Sequence, residues 1–180
     1  TIDDLIYLRQ QGMENAILSC HNKGSLIIGI CGGFQMLGYI IRDPHNVESK
    51  NNESTGLELF DFETTFESEK LTRQVELTTV KNNIFKGGSS CHGYEIDMGR
   101  TTFRTSYRSL FTCSEDENPM NFGIINQDET VLGTYLHGFL DNNLFRQELL
   151  YFIRKQRNVN QPSKPFDFTQ FRQNELDRLS

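Results

Sequence analysis

The sequence predicts an α/β fold: a mixed, largely parallel central sheet flanked by helices, with an added antiparallel portion. Three observations carry this expectation. Residues 26–38, LIIGICGGFQMLG, read as a strand, a sharp turn and a helix, and helical apolar spacing precedes them. Helix, strand, turn and helix in that order are what a parallel sheet with right-handed crossovers requires. From Leu57 to Thr134 the chain changes to short alternating or β-branched segments, LELFDFETTF, RQVELTTV, CHGYEIDMG, SLFTC, NFGIIN and TVLGTYL, separated by the turn chemistry of KNN, KGGSS and SEDENP. Val131 to Leu136 is again strand-like and runs into an amphipathic helix.

The elements follow in order. Thr1 is placed to cap a helix in a variant of the capping box with Asp4, and Ile2, Leu5 and Ile6 form its apolar stripe. Gly12 breaks the pattern, and Met13, Ala16, Ile17 and Cys20 form a second stripe up to the Lys23-Gly24 stop. The helix after Cys31 is expected to run to about Ile41, where Asp43-Pro44 ends it. Residues 42–56 are polar and read as an exposed loop bordering the functional site. In GYEIDMGRT, Tyr94, Ile96 and Met98 alternate with Glu95 and Asp97, the pattern of a half-buried strand. Asp141 is placed to cap a helix from Asn142 to about Lys155 that turns Leu144, Phe145, Leu149, Phe152 and Ile153 inward. Residues 1–156 are expected to form one domain. Residues 157–180 read as a Pro/Ser/Lys linker and a helix that docks through Phe168, Phe171 and Leu176.

Composition narrows the function classes. The chain has 180 residues, a formal net charge of −6 and no basic run, which argues against nucleic acid or an anionic membrane as partner. No apolar stretch approaches the ~20 residues that span a bilayer, and a cytoplasmic location is expected. The four cysteines, Cys20, Cys31, Cys91 and Cys113, are far apart and form no CxxC pair, as expected of unbridged thiols. No metal site is expected, because the adjacent pair Cys91-His92, with His45 elsewhere, lacks ligand spacing.

The candidate chemistry starts at Cys31. A thiol at the turn between a strand and a helix is pushed out at the carboxyl end of the strand, close to unpaired backbone N–H groups and the positive end of the helix dipole. Cys31 is therefore a candidate nucleophile and the N–H of Gly32 a candidate oxyanion donor. The alternative is a buried structural cysteine. The flanking Gly29, Gly32 and Gly33 favour the first reading, since a core cysteine needs no glycines on both sides. His137 falls at the end of a second strand, where a lone histidine is more often a packing or hydrogen-bonding residue than a catalytic one.

GICGGFQMLG, then DP and an acidic loop, GLELF, GYEIDMGRT and GTYLHGFLDN resemble, in order and across nearly the whole chain, the glutamine amidotransferase domain of the cobyric acid synthase family. The resemblance implies a class I glutamine amidotransferase-like, flavodoxin-like fold. In it Cys31 is the nucleophile that attacks the side-chain amide of glutamine through a thioester, and His137 is the base. Gln35 is similar to a residue that contacts bound glutamine in related amidotransferases, although an exposed helix glutamine is an equal reading. The implied partners are glutamine and an ATP-dependent synthetase domain of the same protein, and through that domain a corrinoid acceptor. No cofactor is expected in this domain, with ATP and Mg expected in the synthetase domain, since nothing here matches GxxxxGK[ST]. The resemblance also implies strands and a glycine-bearing loop before the segment matching Thr1, so the domain is expected to be truncated at its N-terminus.

Phe139 stands where many class I glutaminases carry a glutamate two residues after the histidine. Either a Cys31/His137 dyad suffices or another carboxylate, Glu95 or Asp97, orients the ring. The family commonly has histidine at the position of Asp97. Two other readings stand beside this one: a glutaminase subunit that amidates a cell-wall precursor, against which GYEIDMGRT argues, and a catalytically silent module that docks a synthetase.

Overall fold

A computed structural model describes residues 1–113, 119–162 and 164–179, with side chains throughout except at positions 69–71, 97 and 119. Of the expected SEDENP turn, residues 114–118 lie outside the described residues. The chain is a mixed α/β fold, as its sequence predicts. Two helices, α1 (Ile2–Gln10) and α2 (Met13–Asn22), lead into β1 (Ile27–Ile30), α3 (Gly32–Met36), β2 (Ile40–Arg42) and β3 (Glu53–Thr55). The long strands β4 (Phe62–Thr79) and β5 (Ser90–Phe103) follow, then the short β6 (Arg108–Ser109), β7 (Phe111–Thr112), β8 (Gly123–Ile125), β9 (Val131–Thr134) and β10 (Leu136–His137). The described chain closes with α4 (Asn143–Gln156) and α5 (Phe168–Asp177).

Two sheets result. One runs β1-β9-β8-β6, with β1 at its edge, and the other β10-β5-β4-β2-β3, with β7 against β4. The parallel pairs are β1/β9 and β2/β4, and the remaining pairs are antiparallel. Antiparallel pairing thus makes up more of this chain than a largely parallel sheet implies. β8 and β9 are buried on both faces. Ile124 and Val131 join one hydrophobic cluster with Ile2, Leu5, Phe34, Phe62 and Tyr135, whereas Ile125 and Leu132 join another with Leu77, Phe85, Phe111, Phe145 and Leu149.

Close packing of α3 on this sheet depends on two facing glycines. Gly29 and Gly133 are register partners across β1 and β9. A Cβ at Gly133 would fall 2.0 Å from Cδ2 of Phe34, and one at Gly29 would fall 2.6 Å from Cδ1 of Leu37. Missing side chains on the sheet make room for the helix that carries the turn.

Several expectations need correction. α3 does not reach Ile41: it ends at Met36, because the β-branched Ile40 and Ile41 pair with β3 on one side and β4 on the other. Leu57–Phe60 is not a strand. It wraps the end of α3, where the N–H groups of Leu57, Leu59 and Phe60 bond to the carbonyls of Met36, Leu37 and Leu37. The segment 42–56 is not wholly exposed. Asp43 is buried, and its carboxylate accepts backbone N–H groups from Val47, Glu48 and Ser49 at 2.7, 2.8 and 2.9 Å. Burial alone pushes the Asp43 carboxyl up, but those three donors outweigh it and hold its pKa below the usual carboxylate value.

Thr1 precedes α1 without a side-chain cap. α2 buries none of its stripe fully, and Met13 is 49% exposed. Asn142, not Asp141, is the residue before α4, and Leu144 faces solvent while Phe145 and Leu149 are buried. Among the described residues no helix is long and apolar enough to cross a membrane.

Candidate active site

Cys31 sits on the bend between β1 and α3 with φ 50° and ψ −115°, a backbone conformation that a side chain at Cβ disfavours. The surrounding structure holds it there. Its N–H donates to the carbonyl of Thr134 at 2.8 Å, and Gln35 N donates to its carbonyl at 3.1 Å. Its thiol donates to the carbonyl of Ile96 in β5 at 3.4 Å. Gly32 is the first residue of α3, so its N–H precedes the first intrahelical bond. Five residues are little more than one turn, and the dipole acting on the thiol is smaller than the longer expected helix would give.

Thr134 is the junction between the two sheets. Its buried hydroxyl donates to the carbonyl of Phe122 at 2.5 Å and accepts from the N–H of Leu136 at 2.9 Å. With its hydrogen bonds closed on itself in this way, the chain leaves the first sheet after Thr134 and joins the second as β10, where His137 pairs in register with Tyr94. Gly93 permits that approach, since a Cβ there would fall 2.2 Å from the carbonyl oxygen of His137.

Cys31 and His137 therefore converge on residues 94–96 of β5, the thiol at the Ile96 carbonyl and the imidazole against Tyr94. The two rings lie 5.4 Å apart at their centroids and 5° from parallel. Nε2 of His137 is buried with no hydrogen-bond partner, and it is the one such side-chain atom among the described residues. Leaving a buried donor or acceptor unmet costs about 1–3 kcal/mol, a penalty that persists at sites where a ligand or reacting group completes the bond.

The other predicted residues are distributed around this pair. Gln35 is 2% exposed, which removes the exposed-glutamine reading. Glu95 does not join the ring of His137. Neighbouring strand residues point to opposite faces, and the buried carboxylate of Glu95 accepts from Nε of the half-exposed Arg73 at 2.7 Å, while Tyr94 stands 45% exposed on the other side. The Asp97 side chain lies outside the described residues. Phe139 is buried against Phe145, so an apolar ring fills the position two residues after His137. Among the described residues no group of His, Cys, Asp and Glu is arranged to hold a metal ion.

Two participants escaped the sequence reading. Tyr94 read only as a strand residue, since alternation reports burial and says nothing of a stacked ring. Asn142 clamps the start of β5, accepting from His92 N at 2.9 Å and donating to His92 O at 2.7 Å, and it also donates to the carbonyls of Gly138 and Phe139. Its placement between a strand end and a helix start was the available signal. An open groove of about 810 Å³ is bordered by Tyr94, His92, Glu76, Asp141, Asn142 and Arg172, and neither Cys31 nor His137 lines it.

A family model described as a CobB/CobQ-like glutamine amidotransferase domain matches residues 1–145. Cobyric acid synthase of Clostridium novyi (strain NT) is 39% identical over 184 residues, covering 100% of this chain and 35% of that protein. Cobyric acid synthase of Dehalococcoides mccartyi (strain BAV1) is 38% identical over 185 residues, covering 100% of this chain and 36% of that protein. The chain thus spans about a third of the length of these relatives. The solved structure of PurLQS from Thermotoga maritima superposes with a TM-score of 0.56 at 18% identity, over 78% of this chain and 68% of that one, a likeness of fold.

Proposed function

Since the chain belongs to the CobB/CobQ-like glutamine amidotransferase family, we propose that it is the glutaminase domain of a cobyric acid synthase. In this reading it hydrolyses glutamine and supplies ammonia for the ATP-dependent amidation of corrin-ring carboxylates in cobalamin biosynthesis. The synthetase chemistry, with its ATP and Mg, belongs to the part of the protein that the relatives carry beyond the matched third, and the location is the cytoplasm. The observation that carries the reading is the convergence of the Cys31 thiol and the orphaned His137 imidazole on one short stretch of β5.

The steps balance with these groups alone. His137 takes the thiol proton of Cys31 as the sulfur attacks the side-chain carbonyl carbon of glutamine, and the Gly32 N–H donates to the oxygen as it gains charge. Collapse of the tetrahedral adduct breaks the carbon–nitrogen bond, and His137 returns the proton to the departing nitrogen. Ammonia leaves and a γ-glutamyl thioester remains. Water then attacks the thioester, its proton passing to His137, and the carbon–sulfur bond breaks to give glutamate and regenerate the thiol. Gln35 is assigned a contact to bound glutamine, and the dyad works without a carboxylate at position 139.

The test is covalent trapping. In the whole protein, a glutamine analogue with an electrophilic side chain should add one equivalent of mass at Cys31, and free glutamine should protect against it. Absence of labelling at Cys31 in a protein that binds glutamine would overturn the mechanism. Hydrolysis of glutamine by the protein excludes the silent-module reading.

A further inference from the structure

Among the described residues no carboxylate orients the ring of His137 in the triad arrangement: position 139 is a buried phenylalanine and Glu95 is taken by Arg73. An imidazole turns about two side-chain bonds, and a base pointing the wrong way by an ångström loses about 10²-fold in rate. Something must fix the ring. We propose that Tyr94 does so, as a positioning residue whose aromatic face is the platform that orients the His137 imidazole toward Cys31. This rests on the glutaminase reading above.

The geometry is that of a held platform. Tyr94 and His137 are register partners across β5 and β10, and their rings are stacked within 5° of parallel. Rotation of the imidazole about its last bond would drive an edge into the phenol face, so the stack removes that freedom. Tyr94 is itself fixed from the backbone. Asn142 ties down both the N–H and the carbonyl of His92, two residues earlier, and Gly93 lets β10 lie close enough for the rings to meet. At 45% exposure Tyr94 is not a core residue, so filling the interior does not account for an aromatic ring there. The same exposure means that its replacement leaves no internal cavity. The claim concerns the ring face and not the hydroxyl, so phenylalanine should serve as well as tyrosine.

The experiment compares Tyr94→Phe and Tyr94→Leu in the whole protein. Tyr94→Phe should keep kcat for glutamine hydrolysis within about threefold, and Tyr94→Leu should lower kcat by about 10²-fold while KM changes by no more than about threefold. By proton NMR, the Cε1–H resonance of His137 should carry an aromatic ring-current shift in the parent and in Tyr94→Phe that is lost in Tyr94→Leu. A Tyr94→Leu protein with parental kcat overturns the proposal, and so does a Tyr94→Phe protein as impaired as Tyr94→Leu. If the unaltered protein neither hydrolyses glutamine nor traps an analogue at Cys31, the glutaminase reading has failed. The NMR comparison then decides alone, and an unchanged His137 resonance in Tyr94→Leu overturns the positioning role.

Discussion

Cys31 donates its thiol hydrogen to the carbonyl oxygen of Ile96 at 3.4 Å, a bond that only the protonated thiol can make. The residue also carries a positive φ of 50° that a side chain resists. Position and strain coincide at the proposed nucleophile, and the strain is held by bonds from neighbouring strands.

Replacing Cys31 by glycine should therefore separate stability from activity. Glycine accepts this backbone conformation, so Cys31→Gly should raise the free energy of unfolding by roughly 1 kcal/mol. Glutamine hydrolysis should disappear. Urea titration followed by circular dichroism, beside a glutamate-release assay, reads both.

Gly133→Ala should be destabilising by about 1–3 kcal/mol, because the added methyl falls 2.0 Å from Cδ2 of Phe34 and the helix after the bend must shift. Trapping of Cys31 should slow in the same variant. Alanine at Gly12, where nothing lies within 4 Å of the added Cβ, is the control for strain without a clash.

Thr134→Val keeps the shape of the side chain and removes the hydroxyl that bonds Phe122 O and Leu136 N. The buried N–H of Leu136 loses its acceptor, while Phe122 O keeps the N–H of Tyr135 at 3.1 Å, a loss of about 1–3 kcal/mol by denaturant unfolding. Activity should fall further than stability explains, since β10 carries the imidazole. Thr134→Ser, which keeps the hydroxyl, should restore much of both.

Asp43 sets a pH dependence. Its pKa is depressed in the folded chain, so the unfolded chain binds more protons and stability rises with pH. The contribution is complete above the unfolded value of about 3.9 and is lost as pH falls through the lower folded value. Urea midpoints measured downward from pH 6 should drop below about pH 4. Asp43→Asn should be less stable at neutral pH and lose less over the same interval.

The thiols should differ sharply in reactivity. Cys91 is fully buried, and burial pushes its pKa to about 12, whereas Cys20 is exposed. Iodoacetamide at neutral pH should modify Cys20 readily and leave Cys91 intact until denaturant is added, as peptide mass mapping would record.

What the sequence made legible was local. The glycines around Cys31, the apolar run before it and the strand-then-helix pattern around His137 each specify geometry within a few residues, and the bend and both strands stand where they were expected. What it hid depended on partners distant in the chain. α3 stops at Met36 because residues 53–55 and 63–65 claim Ile40 and Ile41 for a sheet. Leu57–Phe60 has strand-like composition, yet the open carbonyls at the end of α3 take up its N–H groups. Glu95 was a plausible partner for His137 until strand register assigned it to Arg73 and the other face.

The edge position of β1 bears on how the protein should be handled. Among the described residues β1 pairs with β9 alone, and Ile30, one residue before Cys31, is 38% exposed. A second strand laid along that free side would stand about 4.8 Å away. Concentrated samples of the isolated chain are therefore prone to zip together at this margin and shield the Cys31 sulfur. Thiol and turnover assays run across a dilution series would separate such crowding of molecules from intrinsic reactivity.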